Sequence, residues 1–137
     1  MKKVIVILFV VAFAIIELCG CSKYTSHYFA IGFVHSNDQD SASMSFFEFE
    51  GSFCFKLKCR SEDQAVIKYS GKLGEGDITV YYDCGGTKTE LFSISSGGDV
   101  VSSGGDLPKD TVYIIVETSG SCKNGDFTFK IDYPEYD

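Results

Sequence analysis

The chain has 137 residues, 45% of them apolar, with no Trp, two Pro and a formal charge of −7. That length suits one domain. The acidity excludes phosphate neutralisation by a basic patch, so nucleic acid is not an expected partner; Lys56, Lys58 and Arg60, the densest basic group, read as the solvent side of one strand.

The chain opens on a positive head, Met1-Lys2-Lys3, followed by thirteen apolar residues, Val4 to Ile16, and then Glu17-Leu18-Cys19-Gly20-Cys21-Ser22. A spanning helix needs about 20 apolar residues. The shorter run behind a basic head matches the core of a secretory signal. Leu18-Cys19-Gly20-Cys21 resembles the lipobox of bacterial lipoproteins. The resemblance implies a diacylglyceryl group on Cys21 and cleavage of the Gly20–Cys21 bond. Two acyl chains matter, because each buried methylene contributes roughly 0.8 kcal/mol and one chain alone anchors only marginally. The expected organisation is a signal peptide over 1–20, a lipid-anchored segment over 21–43 and a β domain over 44–137. The expected location is the extracytoplasmic side of a bacterial envelope, with the membrane as one partner through Cys21.

Tyr24 to Val34 is aromatic and apolar and predicts a first strand packed on the domain; Ser36 to Ser43 reads as a polar loop. From Met44 the period is two, the mark of half-buried strands. Phe47 and Phe49 alternate with Glu48 and Glu50, Gly51-Ser52 reads as a turn, and Phe53, Phe55, Leu57 and Cys59 alternate with Cys54, Lys56, Lys58 and Arg60. Ala65 to Tyr69 and Asp77 to Cys84 predict strands around a turn-rich Gly71 to Gly76. Gly85-Gly86 predicts a tight hairpin turn. Thr89 to Ile94, Thr111 to Thr118 and Asp126 to Tyr133 follow, the last entered through a turn at Asn124-Gly125. Ser95-Ser96-Gly97-Gly98-Asp99 recurs as Ser102-Ser103-Gly104-Gly105-Asp106, read as two bends around a short edge strand. A phosphate loop would need a Lys and a helix start after the glycines.

The pattern predicts an all-β antiparallel sandwich, jelly-roll or immunoglobulin-like, of seven to eight short strands. Gly51 to Asp132 resembles, in pattern, the small jelly-roll and GOLD-like sandwiches of exported bacterial proteins.

Four cysteines remain after Cys21. Cys54, Cys59, Cys84 and Cys122 form an even set, which in an oxidising compartment predicts two disulfides. Cys54 and Cys59 on one extended strand stand about 16 Å apart, too far to bridge. Two pairings stay open: Cys54–Cys84 with Cys59–Cys122, and Cys54–Cys122 with Cys59–Cys84. The first is preferred, since the last strand should start beside the end of the Cys59 strand. No Cys-x-x-Cys or His-Glu-x-x-His motif supports a metal, and no cofactor is expected.

Candidate chemistry is sparse. His27 and His35 accompany no Gly-x-Ser-x-Gly elbow. Glu48 and Glu50 share a strand face, which is also what any solvent face looks like. Asn37-Asp38-Gln39-Asp40, and Asn124 with Asp126, Asp99 and Asp106, offer oxygen ligands for calcium, although turn chemistry explains them equally. Tyr81, Tyr133 and Tyr136 are the candidate aromatic platforms for a sugar. The sequence therefore points to a non-enzymatic module binding an unknown protein or glycan. A second reading rests on Tyr82-Asp83-Cys84-Gly85-Gly86, which resembles the Tyr-x-Cys segment of membrane-bound lysozyme inhibitors. That family's Ser-Gly-x-x-Tyr is not matched, because Ser103-Gly104 is followed by Gly105-Asp106-Leu107. A hydrolase is the third reading.

Overall fold

A computed structural model describes residues 24–61 and 64–134. The expected signal peptide, Cys21 and Tyr136 lie outside the described residues. The described chain is all-β, with nine antiparallel strands: β1 (His27–Ile31), β2 (Val34–Asn37), β3 (Ser41–Lys58), β4 (Ala65–Glu75), β5 (Asp77–Cys84), β6 (Lys88–Ser95), β7 (Asp99–Leu107), β8 (Thr111–Thr118) and β9 (Cys122–Asp132).

The pairing shows how nine strands make a sandwich. Ser52 pairs with His27 of β1 and with Glu117 of β8, while Glu48 pairs with Ile31 of β1 and with Lys123 of β9. Strands β8 and β9 therefore follow one another along the same edge of β3. In turn β5 lies along β8 and β4 along β9, and β6 and β7 flank them. Seven of the strands thus make four long ribbons, each bent in the middle: β3, β8–β9, β4–β5 and β6–β7; the short β1 and β2 pair with β3. Folding this sheet in half brings one half (β3 to Phe49, β9, β4, β7) against the other (β3 from Ser52, β8, β5, β6). Tyr69 of β4 stacks on Phe92 of β6 at 4.4 Å, and Phe55 meets Phe129 at 6.0 Å across the interior. This is the jelly-roll form of the expected sandwich.

The bends explain where the sequence reading falls short. Gly51-Ser52 is not a turn but the corner of the 18-residue β3. There φ is +126°, and a Cβ would stand 2.1 Å from the His27 carbonyl oxygen. Gly71 to Glu75 is likewise strand, with Leu73 buried, and the corner falls at Gly76, where φ is +108° and a Cβ would meet the Cys122 sulfur at 2.5 Å. The corners are tied together: Gly51 N donates to Thr118 Oγ1 at 2.8 Å, Ser119 N to the Asp77 carbonyl at 3.0 Å, and Gly76 N to Ser96 Oγ at 2.8 Å.

Other expectations divide. Gly85-Gly86 forms the β5–β6 hairpin turn with positive φ at both residues. Asn124-Gly125 lies inside β9, with Asn124 left-handed at φ 56°. Of the repeated Ser-Ser-Gly-Gly-Asp segments, the first turns the chain between β6 and β7 and the second is part of β7. Tyr24 to Val34 yields β1, while the expected polar loop of Ser36 to Ser43 is strand at both ends, in β2 (Val34–Asn37) and at the start of β3, and both short strands pair onto β3.

We expect Gly51→Ala and Gly76→Ala each to cost about 2–6 kcal/mol, the sum of positive-φ strain and forced overpacking. Gly86→Ala, with nothing within 4 Å of its Cβ position, should show only the backbone share of about 1–3 kcal/mol. Urea unfolding of the three variants measures the difference, and equal midpoints would contradict the corner assignment.

Candidate functional site

Cys59, Cys84 and Cys122 are free thiols, so neither expected pairing forms. The pleat is the reason. Cys59 and Cys122 belong to the core and Cys84 packs against it, whereas Cys54 points to the opposite face of β3, against Ile115. A bridge from Cys54 to Cys84 or Cys122 would have to pass through the sheet. Cys59 and Cys84 do share one end of the sandwich, where their thiols approach the Leu107 and Pro108 carbonyl oxygens at 3.8 and 3.6 Å. Cys122 approaches the Asp77 carbonyl at 3.5 Å.

The other candidates are scattered. The His35 ring sits between Phe33 and Phe53, at 5.0 and 4.9 Å, and His27 pairs with Ser52 at the corner. Glu48 accepts from Ser121 Oγ at 3.0 Å, and Glu50 lies opposite Phe29 of β1. Asn37 is spent on the Lys56 backbone and Asp40 on Arg60. Among the described residues no group of three or more His, Cys, Asp or Glu gathers to hold a metal. Tyr133 hydrogen-bonds the backbone at Arg60 and Lys58, and Tyr81 lies beneath the Lys88 ammonium, 4.4 Å from the ring centroid. Asp83, the buried carboxylate of β5, takes hydrogen bonds from the Tyr24 hydroxyl and the Gly86 amide.

What the structure assembles instead is a trough of about 460 Å³ on the outer face of the β3–β9–β4–β7 half. Side chains of alternate residues point outward, so the ladder register arranges them in rows across the strands. The middle row runs Val101 on β7, Ser70 on β4, Thr128 on β9, Ser43 on β3 and Ser36 on β2. Five strands place its ends about 19 Å apart. Its hydroxyls pair, Ser70 with Thr128 at 2.6 Å and Ser36 with Ser43 at 2.7 Å.

Longer side chains flank this low row. On one side stand Lys68 and Lys130, directly opposite each other between Ser103 and Ser41. On the other stand Asp99, Lys72 and Asp126, followed by Ser45 and Val34. A second depression of about 190 Å³ continues past Lys72 and Asp126. The result is a channel crossing the strands, floored by hydroxyls and walled by charges. Beyond Val34, Phe29, Ile31 and Phe47 complete an apolar strip, 62, 47 and 58% exposed, with Val34 at 67%.

No protein-family model matches this chain, and no curated protein matches it. Among solved structures it is similar to a mutant of the family 29 carbohydrate-binding module CBM29-2 complexed with mannohexaose, at 20% identity and a TM-score of 0.40 over 78% of this chain and 77% of that one. It is also similar to the module CBM6cm-2 from Cellvibrio mixtus lichenase 5A, in complex with cellotriose, at 9% identity and a TM-score of 0.42 over 78% and 91% of the two chains. Likenesses at this level carry no conclusion about function, which rests on this chain's own surface.

Burial raises the Cys84 thiol to about 11, helped by the charges of Asp110, Cys59, Asp83 and Asp106; burial also raises Cys122. A thiol reacts as its thiolate. Cys84 should therefore react with iodoacetamide at pH 8 about a hundredfold more slowly than a thiol at the ordinary value of 9.0, its rate rising about tenfold per pH unit toward 11. Peptide mass mapping of a pH series measures this; a rate at pH 8 matching free cysteine would contradict the burial.

Proposed function

We propose that this chain is a non-catalytic binding module of the bacterial envelope, anchored through lipid on Cys21, and that its trough holds an extended glycan. The trough's floor carries the reading. Four small hydroxyl side chains in one row, Ser36, Ser43, Thr128 and Ser70, leave the sheet surface low enough for a ligand to lie across five strands. A hydroxyl both donates and accepts, so this row offers both functions in alternation to a chain whose own surface is mostly hydroxyl. Binding sites of this kind orient a ligand through a few placed polar groups on a preformed scaffold. Here the scaffold is strand on all sides, which fixes those groups without ordering cost at binding.

Catalysis has no comparable support. The imidazole of His35 is directed away from Ser36, its neighbour on the trough, and packs among aromatic rings. The lysozyme-inhibitor reading loses its carrier as well. Asp83 is buried beneath Tyr24, and Tyr82 packs onto the core beside Gly105. That segment is occupied in holding the sandwich together.

The anchor reading draws on the residues before Tyr24 and on the exposed apolar strip. Cys21 stands six residues ahead of β1, within about 20 Å of extended chain. Phe29 and Ile31 stand exposed on β1, the first strand after that cysteine, and Val34 and Phe47 are exposed apolar residues as well.

Two outcomes are expected. Cys21→Ser should release the protein from sedimenting membranes and block its maturation; normal processing with the variant still membrane-bound would contradict lipidation. Ser43→Tyr should weaken glycan binding by about tenfold or more in calorimetric titration against a polysaccharide panel, because the ring fills the floor. Ser93→Tyr, on the far half of the sandwich, should leave it intact. Glycan affinity unchanged by Ser43→Tyr would contradict the trough.

A further inference from the structure

We infer that the trough selects an acidic glycan, with the ligand's negative group held between Lys68 and Lys130. This rests on the glycan reading and adds its charge. The chain carries −7 overall, yet two lysines stand directly opposite each other in the β4–β9 ladder, with serines, not acids, on either side of them. Like charges directly opposite in a sheet are destabilising.

The neighbouring lysine shows the ordinary arrangement. Lys72, four residues along β4 from Lys68, pairs with Asp99 on one side and Asp126 on the other. Same strand, same face, same residue type: Lys72 has a carboxylate residue opposite it on each flanking strand, and the Lys68–Lys130 pair has one on neither. Among the described residues the ion pairs are Arg60–Asp40 and Lys88–Glu117, and neither takes Lys68 or Lys130. The next carboxylate by register, Asp132, stands one row away beside Val66.

The pair is placed to act on a ligand rather than on the fold. Both lysines line the same trough as Ser43, Ser70 and Thr128, so an anion between the two ammonium groups would belong to a chain lying on the hydroxyl floor. Charge-assisted hydrogen bonds of this kind are about twice as strong as neutral ones. A carboxylate on the sugar ring relieves the repulsion that the free protein carries.

The test uses full-length protein in detergent, titrated calorimetrically with a polyuronate and with the same polymer after its carboxyls have been reduced to alcohols. The wild type should bind the polyuronate about tenfold or more tightly than the neutral polymer, a preference that shrinks with added salt. Lys68→Gln and Lys130→Gln should each bring the polyuronate's affinity down to about that of the neutral polymer, and Lys56→Gln, on the outer face of the other half, should retain the preference. Neither of the first two variants should melt below the wild type, since each removes a repulsion. Equal affinity for the two polymers, with binding intact, would overturn the acidic preference and leave the glycan reading standing. Failure of both polymers to bind would overturn both. Polyglutamate binding as tightly as the polyuronate would reduce the pair to unspecific ion exchange and overturn the inference.

Discussion

The bend that every ribbon makes at the same level of the molecule is the constraint on which the rest depends. A flat four-ribbon sheet with Phe49, Phe55, Phe127 and Phe129 on one face would expose them all; folded in half, it buries them completely. Each fully buried large apolar side chain contributes roughly 1.5–3 kcal/mol, so the stability of the domain is contingent on a sharp fold line. Strand backbone cannot turn that sharply with ordinary residues. Glycines at positive φ mark the line in all four ribbons: Gly51, Gly76, Gly97 and Gly120. Side-chain hydroxyls of Thr118 and Ser96 satisfy amides that the bend takes out of the ladders, as buried backbone donors require.

The same constraint builds the surface. Because each ribbon is continuous through the corner, the register is common to the whole half-sheet, and outward side chains fall into straight rows. A one-residue slip in any ribbon would invert its faces, driving the buried aromatic residues out and the serines in. Hydrophobic burial thus holds the hydroxyl row and the lysine pair in place, although neither contributes to the core. The polar surface is also inexpensive to vary: Ser41, Ser43 and Ser45 alternate with buried Ala42, Met44 and Phe46, so their identity is free of packing demands and open to selection by a ligand.

Much of the fold was legible in the sequence because alternation is a local signal. Phe53, Phe55, Leu57 and Cys59 do face inward, and so do Ile78, Val80, Phe127, Phe129 and Ile131. The length of the ribbons was not legible. Glycine marks both a chain reversal and a bend within a strand, and only the pairing partner tells them apart: Gly85-Gly86 reverses the chain, while Gly51 and Gly76 bend it. The cysteines misled for a related reason. An even count says nothing about which face of a pleat each one occupies, and the alternation of Cys54 with Phe53 and Phe55 already set it opposite Cys59. The trough was hidden because its residues, at 36, 43, 70, 128, 68 and 130, come from four strands scattered over most of the chain. Their outward direction followed from the period, but their meeting required the register. One signal was present throughout: Lys68-Tyr69-Ser70 and Thr128-Phe129-Lys130 each set a lysine and a hydroxyl residue on either side of a buried aromatic residue.

This face, and no other, should receive the ligand. The most direct measurement is amide chemical-shift mapping of isotope-labelled protein titrated with a short uronic acid oligosaccharide. Shifts should concentrate at Ser36, Ser43, Lys68, Ser70, Thr128 and Lys130 on four strands, with Val101 on a fifth at the end of the row. Shifts centred instead on Tyr81, Lys88 and Tyr113, on the outer face of the other half, would contradict it.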